Sequence, residues 1–200
     1  MGVLIVKPDE LQGLVGMKDA IDAIELAYRE STEFPVINAP RRRVHSPRGV
    51  RVSNFPGGVH ALGVIGGQVR TELVVQEGTH QRYAHRAPPV HVLHDSTTGR
   101  LLAVMFGEID EKTIGPSSLM AFRTAAASGV GFRYLVREDA KSVLLFGSGG
   151  QAANQLWALK TERPGIETVS VYSRDPENRR AFADRYGPKF GLDITPVDSP

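Results

Sequence analysis

A glycine turn between an apolar strand and a helix is the segment of this sequence with the clearest chemical use. Gly147, Gly149 and Ala152 follow the pattern Gly-x-Gly-x-x-Ala, directly after the apolar residues 142–146. The first glycine permits the tight turn, the second lets the backbone approach a pyrophosphate, and the third residue keeps helix and strand close together. Free N–H groups and the dipole at the helix start favour the negative charge of the pyrophosphate. The residues predicted to bind a dinucleotide here are Gly147, Ser148, Gly149, Gly150, Gln151 and Ala152.

The end of the second strand, residues 168–172, bears on which nicotinamide dinucleotide would bind. An NAD site usually has an acid there for the ribose hydroxyls, but here Asp175 comes two residues late. Ser173 and Arg174 suit a 2′-phosphate instead, since a guanidinium donates paired hydrogen bonds to such an oxyanion. NADP and NAD are both candidates, and NADP is favoured. The alternative for Arg174 is that it caps a helix or faces solvent.

Histidines and acids elsewhere in the chain are weaker candidates for chemistry. His91 and His94 lie in one predicted strand, where a separation of three places the rings on opposite faces. No His-Glu-x-x-His pattern occurs, and we predict no metal site. Glu108, Asp110 and Glu111 resemble paired catalytic acids, but a charged loop before a helix explains them better.

Composition narrows the class of protein. The 200 residues are 41% apolar and 23% charged, with a formal net charge of +2 and no cysteine. This balance is ordinary for a globular protein and predicts neither a nucleic-acid partner nor a membrane partner. Without cysteine there is no disulfide framework, thiol nucleophile or thiolate metal site, and the cytoplasm is the default location.

Hydrophobic periodicity predicts the elements that position these residues in the first half of the chain. Apolar residues recur at helical spacing over residues 18–31. Short β-type runs separated by Gly and Pro then predict an antiparallel sheet, with a hairpin at residues 94–100. The predicted strands are residues 50–53, 62–65, 69–75, 90–93 and 101–106.

The second half alternates strands with helices, which predicts a parallel sheet with right-handed crossovers. The fold class is therefore α/β, with a partial Rossmann-type parallel sheet preceded by an α+β portion. We predict that residues 1–125 form the α+β portion and residues 126–200 the N-terminal half of a dinucleotide-binding domain. The predicted elements are helices at 117–137, 151–160 and 177–186 and strands at 142–146 and 168–172.

Four segments, in their order and spacing, resemble the ornithine cyclodeaminase/mu-crystallin family. Residues 122–128 read Phe-Arg-Thr-Ala-Ala-Ala-Ser and, with the glycine turn at 147–152, look like that family's shared signature. The hairpin at 94–103 and the arginine-bearing residues 40–47 are similar to earlier family segments. The resemblance covers nearly the whole chain. It implies an NAD(P)-dependent enzyme whose first portion contributes substrate contacts and a homodimer sheet, and it adds Thr124 to the cofactor-binding residues.

By that resemblance, arginines hold the carboxylate of the substrate, a small amino or imino acid. They correspond to Arg123 and to Arg43, whose register against Arg42 is open. A planar guanidinium is a natural clamp for such a carboxylate. The alternatives are a solvated basic patch for the three consecutive arginines and an ordinary surface arginine for Arg123.

Position 68 departs from the family, which usually has a lysine on a strand just before the substrate region. Gln68 aligns best with that lysine, and glutamine supplies neither its charge nor its proton transfer. Arg70, two residues on, lies on the same strand face and can replace the charge but not the proton transfer. The departure favours a dehydrogenase or reductase over a strict ornithine cyclodeaminase.

The resemblance implies hydride transfer between nicotinamide C4 and the α-carbon of an amino acid or cyclic imino acid, as in ketimine reductases, amino-acid dehydrogenases and ornithine cyclodeaminases. A non-catalytic NADP(H)-binding protein of the crystallin type is the rival from another class.

The family continues well past residue 200, and its catalytic aspartate lies in that continuation, so no catalytic residue is assigned. About two and a half β-α units are present, whereas a full dinucleotide fold has roughly six strands. We therefore expect the 200-residue chain to be a fragment that is marginally stable and inactive by itself.

Overall fold

The computed structural model describes residues 2–107 and 115–199, which fall into two compact units. The first unit comprises Met1–Leu11 with Leu26–Glu108, and the second comprises Gln12–Glu25 with Ile109–Pro200. The predicted division between residues 125 and 126 lies inside a helix, α2 (Leu119–Leu135), all of which belongs to the second unit. The acids Glu108, Asp110 and Glu111 lie outside the described residues.

A seven-stranded sheet forms the first unit. Its strands are β1 (Leu4–Val6), β2 (Arg42–His45), β3 (Val50–Val59), β4 (Val64–Glu77), β5 (His80–Arg86), β6 (Val90–Asp95) and β7 (Leu101–Phe106). They lie in the order β1, β7, β6, β4, β3, β2, and β5 also pairs with β4. The β1–β7 pair is parallel, and the other pairs described are antiparallel, as predicted for this half of the chain.

The course of β4 corrects the sequence prediction, which divided this segment into strands at 62–65 and 69–75. Leu62 belongs instead to a short 3-10 helix that ends at Gly63, whose φ of +63° is left-handed. The strand then runs unbroken through Gly66 and Gly67. A Cβ at Gly66 would overlap the carbonyl oxygen of Val92 on β6. Because Gly66 has no side chain, β4 and β6 can approach each other closely, and the glycine does not interrupt β4.

The hairpin between β6 and β7 is confirmed, and local hydrogen bonds explain it. The Asp95 carboxylate accepts from the backbone N–H groups of Thr97 and Thr98 at 2.9 and 2.8 Å, which lowers the pKa of Asp95. Gly99 adopts the left-handed φ of +71° that the turn requires. β7 itself matches its predicted bounds to the residue.

The two faces of this sheet differ in chemistry. Arg51, Ser53, Arg70 and Glu72 are buried on one face, which we call the polar face. The opposite face, which we call the apolar face, is partly exposed, and its Val44 is 68% exposed. By register, the apolar face carries Ile5, Val44, Val50, Val52, Val69, Leu73, Val90, Val92, Val104 and Phe106.

The described residues of the second unit form a three-stranded parallel sheet and four helical segments. Strands β8 (Ser142–Phe146), β9 (Thr168–Tyr172) and β10 (Asp193–Pro196) pair in the order β10, β9, β8. The helices are α2, α3 (Gly150–Glu162), α4 (Pro176–Phe190) and residues 17–25 of α1 (Met17–Glu30). Because parallel strands alternate with helices, the predicted α/β class and partial Rossmann-type sheet are confirmed.

Among the described residues, the buried aliphatic and aromatic side chains all belong to this second unit, where they form two clusters. One cluster joins the parallel sheet to α3 and α4, through residues such as Leu156, Val171 and Phe182. The other joins α1 to α2 and α3, and it includes Ile21 and Phe122. None of the described helices is long and apolar enough to cross a membrane.

Candidate cofactor and substrate sites

The glycine turn joins β8 to α3 with the geometry that its sequence predicts. Gly147 has a φ of +103°, and its N–H donates to the Tyr172 carbonyl at the end of β9 at 2.7 Å. Gly149 is the N-cap residue of α3 and offers no side chain to cap the first N–H groups. A Cβ at Gly149 would meet no atom within 4 Å. The turn therefore presents backbone donors beside open space, which is what a pyrophosphate requires.

A pair of hydroxyl groups connects this turn to the end of β9. The Ser148 hydroxyl donates to the Ser173 oxygen at 3.0 Å, and the Ser173 hydroxyl donates to the Asp175 carbonyl at 3.1 Å. The Asp175 side chain caps α4, because it accepts from the N–H of Glu177 at 2.8 Å. Arg174 is exposed. The carboxylate of Asp175 thus caps α4, and the two residues before it offer a hydroxyl and an exposed guanidinium.

A cleft of about 440 Å³ opens beside the turn. The segment before α2 forms one wall, and it packs so tightly on the turn that a Cβ at Gly150 would stand 2.8 Å from Ser117 Oγ. The prediction included Ser148, Gly149 and Gly150 of the lining but omitted its other members. The lining consists of Pro116, Ser117, Ser118, Ser148, Gly149, Gly150, Asn178, Ala181, Phe182, Arg185 and Tyr186.

The remaining predicted cofactor residues occupy different environments. Ala152 is buried in the core beside the sheet, in keeping with the packing role predicted for it. Gln151 and Thr124 are exposed, and the Thr124 hydroxyl donates to the Met120 carbonyl at 2.7 Å within α2. Arg123 is also exposed on α2, next to the buried Phe122. Its guanidinium is therefore accessible to an anionic ligand.

The register of β2, β3 and β4 distinguishes between the two candidate arginines on β2. Arg43 pairs with Ser53, which in turn pairs with Arg70, so Arg43 lies on the polar face. Gln68 is two residues before Arg70 and shares that face. Arg42 points to the opposite face because it is one residue away from Arg43. The sheet thus places Arg43, Gln68 and Arg70 on one face.

Gln68 makes a side-chain contact that the sequence did not predict. It lies opposite His91 of β6, and Gln68 Nε2 is 3.2 Å from His91 Nε2. Both side chains are half-buried. A histidine and a glutamine separated by 23 residues become partners only through strand register, so no local signal could have revealed the pair.

A charged cluster occupies another part of the polar face. Arg51 Nε lies 3.0 Å from Glu72 Oε2, and Arg51 also donates to the Tyr83 hydroxyl at 2.9 Å. The Arg86 guanidinium carbon is 4.0 Å from the centre of the Tyr83 ring. Glu72 raises the pKa of Arg51, and Arg51 lowers the pKa of Tyr83. Because these charges are paired with one another, the cluster ties β3, β4 and β5 together.

Metal ligands are not grouped in the part of the chain that the structure describes. Residues 2–107 and 115–199 contain no set of three or more His, Asp and Glu side chains placed to hold an ion. His91 and His94 both lie on β6, and the pairing of β6 with β7 is irregular between Leu93 and His94.

Comparisons with known proteins agree with the fold. The family model of the ornithine cyclodeaminase/mu-crystallin family matches residues 4–200. A Δ(1)-pyrroline-2-carboxylate reductase from Bacillus cereus is 29% identical over 193 residues, which cover 94% of this chain and 54% of the relative. The iminosuccinate reductase of Paracoccus denitrificans, solved with NAD+, superposes with a TM-score of 0.79 at 25% identity, covering 98% of this chain and 57% of that one.

A second solved structure, the Δ(1)-pyrroline-2-carboxylate reductase of Thermococcus litoralis with NADH and L-proline, gives a TM-score of 0.74 at 28% identity, with the same coverage of 98% and 57%. The chain thus spans about half the length of the relatives it matches. The resemblance inferred from the sequence is confirmed, and this chain belongs to the ornithine cyclodeaminase/mu-crystallin family.

Proposed function

We propose that this chain binds a nicotinamide dinucleotide and belongs to an oxidoreductase that acts at the α-carbon of an amino acid or a cyclic imino acid. The glycine turn carries the proposal, because Gly149 combines an uncapped helix start with open space where a pyrophosphate would lie. The Thermococcus litoralis relative was solved with NADH and L-proline, which supports this class of cofactor and substrate. When bound, the nicotinamide supplies or accepts the hydride.

The arginines would hold and orient the substrate. Arg43 and Arg123 each present an exposed guanidinium, whose paired N–H donors match a carboxylate. Fixing the carboxylate limits the positions that the α-carbon can take, which is the main contribution of such contacts to rate. Gln68 forms hydrogen bonds but transfers no proton, so a reductase or dehydrogenase is favoured over a cyclodeaminase.

Arg123→Ala is expected to raise the KM for the substrate by about 10- to 100-fold. This is the effect of losing one charge-assisted contact of about 1.5–3 kcal/mol. The Kd for the dinucleotide should stay unchanged. Turnover of ornithine, alanine and five- and six-membered cyclic imino acids by the whole oxidoreductase, with both nicotinamide cofactors, provides the measurement. Arg137→Ala removes another exposed arginine of this unit and should leave both constants unaltered. Equal loss of substrate and cofactor affinity in Arg123→Ala would show that Arg123 has a structural role.

A non-catalytic NADP(H)-binding protein of the crystallin type is the second candidate. Gln68 favours it, because this position lacks the lysine that the resemblance leads one to expect. Tight cofactor binding by the whole protein, with no turnover of any substrate in the same screen, would support this second function and reject the first.

We further propose that NADP(H) is preferred to NAD(H). Asp175 is engaged in capping α4, and Ser173 and the exposed Arg174 follow the end of β9, where the ribose of a dinucleotide would lie. We expect NADPH to bind more tightly than NADH, and Arg174→Ala to reduce that preference by about tenfold, as loss of one exposed charge-assisted contact would do. Calorimetry with both cofactors measures this. A ratio unchanged by Arg174→Ala would contradict the 2′-phosphate role.

We also propose that the protein forms a homodimer through the apolar face. This face presents valines and other large apolar side chains over several adjacent strands, and extended apolar surfaces commonly mark protein interfaces. Val44→Lys is therefore expected to convert a dimer into a monomer in sedimentation equilibrium. Leu14→Lys places the same charge at a 71% exposed leucine outside the sheet and should leave the dimer intact. A dimer that persists in Val44→Lys would exclude this interface.

A further inference from the structure

The pair formed by Gln68 and His91 has a defined hydrogen-bond direction. The amide nitrogen of Gln68 faces His91 Nε2 at 3.2 Å. An amide nitrogen only donates, so the ring nitrogen must accept, and a neutral ring then carries its proton on Nδ1. On the flanking strands, Arg70 lies two residues along β4 and Met105 of β7 stands opposite His91.

This direction determines what Gln68 offers to a ligand. The ring takes one N–H of Nε2 and so fixes the orientation of the amide, and the amide oxygen Oε1 is the acceptor that Gln68 offers to a ligand. Arg43 on the same face has donors only, which suit a carboxylate. An amino acid, or a cyclic imino acid in its protonated iminium form, carries both a carboxylate and an N–H, so it needs an acceptor as well as donors. The polar face supplies both kinds of group.

We propose that His91 is a positioning residue that makes Gln68 an acceptor for the N–H of the substrate. The neutral ring accepts from Gln68 Nε2 and thereby keeps Oε1 available. The proposal rests on the function proposed above and deepens it, because it selects substrates with a nitrogen on the α-carbon. Keto acids of similar shape would leave the half-buried acceptor without its donor, which a binding site penalises strongly.

The ring tautomer can be measured without any turnover. Long-range 1H–15N correlation spectra of protein labelled with 15N-histidine, recorded above the pH at which imidazole titrates, distinguish Nδ1–H from Nε2–H. Loss of a signal in His91→Phe assigns it. We expect Nδ1–H in the unaltered protein. Gln68→Glu replaces the donor with a carboxylate that only accepts, so His91 is expected to move its proton to Nε2.

Gln76→Glu is the matched control for these spectra. Gln76 lies on the same strand, and its amide donates to the Gly78 carbonyl at 2.7 Å, so this change adds the same charge away from His91. It should leave the His91 signals unaltered. An Nε2–H tautomer in the unaltered protein, or a tautomer that Gln68→Glu does not move, overturns the proposal.

Two ligands that differ at one atom test the selectivity. L-proline has a ring N–H where tetrahydrofuran-2-carboxylate has an oxygen. With saturating cofactor, we expect L-proline to bind at least about tenfold more tightly, and His91→Phe to remove most of that preference without weakening binding of the oxygen analogue. Equal affinity for the two ligands in the unaltered protein overturns the selectivity. Failure of both to bind, beside the expected tautomer shift, overturns the proposed substrate class and leaves the hydrogen-bond pair established.

Discussion

Gly149→Ala is expected to weaken the binding of NAD(H) and NADP(H) by about 100-fold or more without lowering the melting temperature. The backbone of Gly149, at φ −92° and ψ −178°, is open to alanine, and the new Cβ would meet no protein atom within 4 Å. The methyl group would instead occupy the space that the pyrophosphate needs in order to reach the N–H groups of α3. Losing two or more charge-assisted hydrogen bonds of about 1.5–3 kcal/mol each gives an effect of this size.

Gly150→Ala is the matched control for stability. It adds the same methyl group one residue along, and it is expected to lower the stability that Gly149→Ala leaves unchanged. A Cβ there would lie 2.8 Å from Ser117 Oγ and 3.0 Å from Ser117 Cβ, so we expect overpacking to cost about 1–3 kcal/mol of unfolding free energy. Calorimetric titration and thermal unfolding of both variants provide the two readouts. Unchanged cofactor affinity in Gly149→Ala would refute the dinucleotide site.

The strands that the sequence located well are those whose signal is local. β7 is a continuous apolar run, β8 is apolar after Ser142, and β9 alternates Thr and Ser with Val and Tyr; the predicted bounds of all three match the structure. β2 and β5 were missed because they are exposed throughout and rich in basic residues, so they show no alternation of apolar and polar side chains. Such strands are specified by the neighbours with which they pair.

The distinction between local signals and tertiary packing also explains which parts of the candidate sites could be predicted from the sequence. The glycine turn is encoded in six adjacent residues, and its position between β8 and α3 was predicted from them. The cleft beside it also depends on Ser117, before α2, and on Asn178 and Arg185 of α4, which only tertiary packing brings to the turn. The choice between Arg42 and Arg43 could not be made from three consecutive arginines. The register of β2 against β3 assigns each of the two arginines to a face of the sheet, and substrate binding by Arg43 stays a prediction.

Arg133→Met is expected to lower the free energy of unfolding by about 3–5 kcal/mol, the usual cost of removing one partner of a largely buried ion pair. The Arg133 guanidinium donates to Glu162 Oε1 at 2.7 Å and Oε2 at 2.8 Å, and to Asp22 at 2.7 Å, and it also pairs with Glu25. The side chains of Glu162 and Glu25 are only 7% and 13% exposed. Without Arg133, three carboxylates from α1 and α3 would face one another with their shared cation gone.

The loss of unfolding free energy in Arg133→Met depends on pH, because the carboxylates around Arg133 titrate. Lys18 and Arg133 lower the pKa of Asp22, so the stability that this carboxylate contributes is present above its unfolded pKa of about 3.9 and disappears as the pH falls through the lower folded value. Removing Arg133 removes part of that contribution. We therefore expect Arg133→Met to lower the free energy of unfolding by more at pH 7 than near pH 3, where protonation relieves the repulsion between carboxylates.

Chemical denaturation of two further variants separates the charge cluster from general effects of losing an arginine. Arg133→Lys keeps the charge but cannot donate to both oxygens of Glu162 from one planar group, so it should lose less stability than Arg133→Met. Arg137→Met removes an arginine whose pair with Asp139 is 80% exposed on both sides, and such a pair contributes at most about 1 kcal/mol. If Arg133→Met proved no less stable than Arg137→Met, the cluster would contribute nothing to holding α1 and α3 against α2.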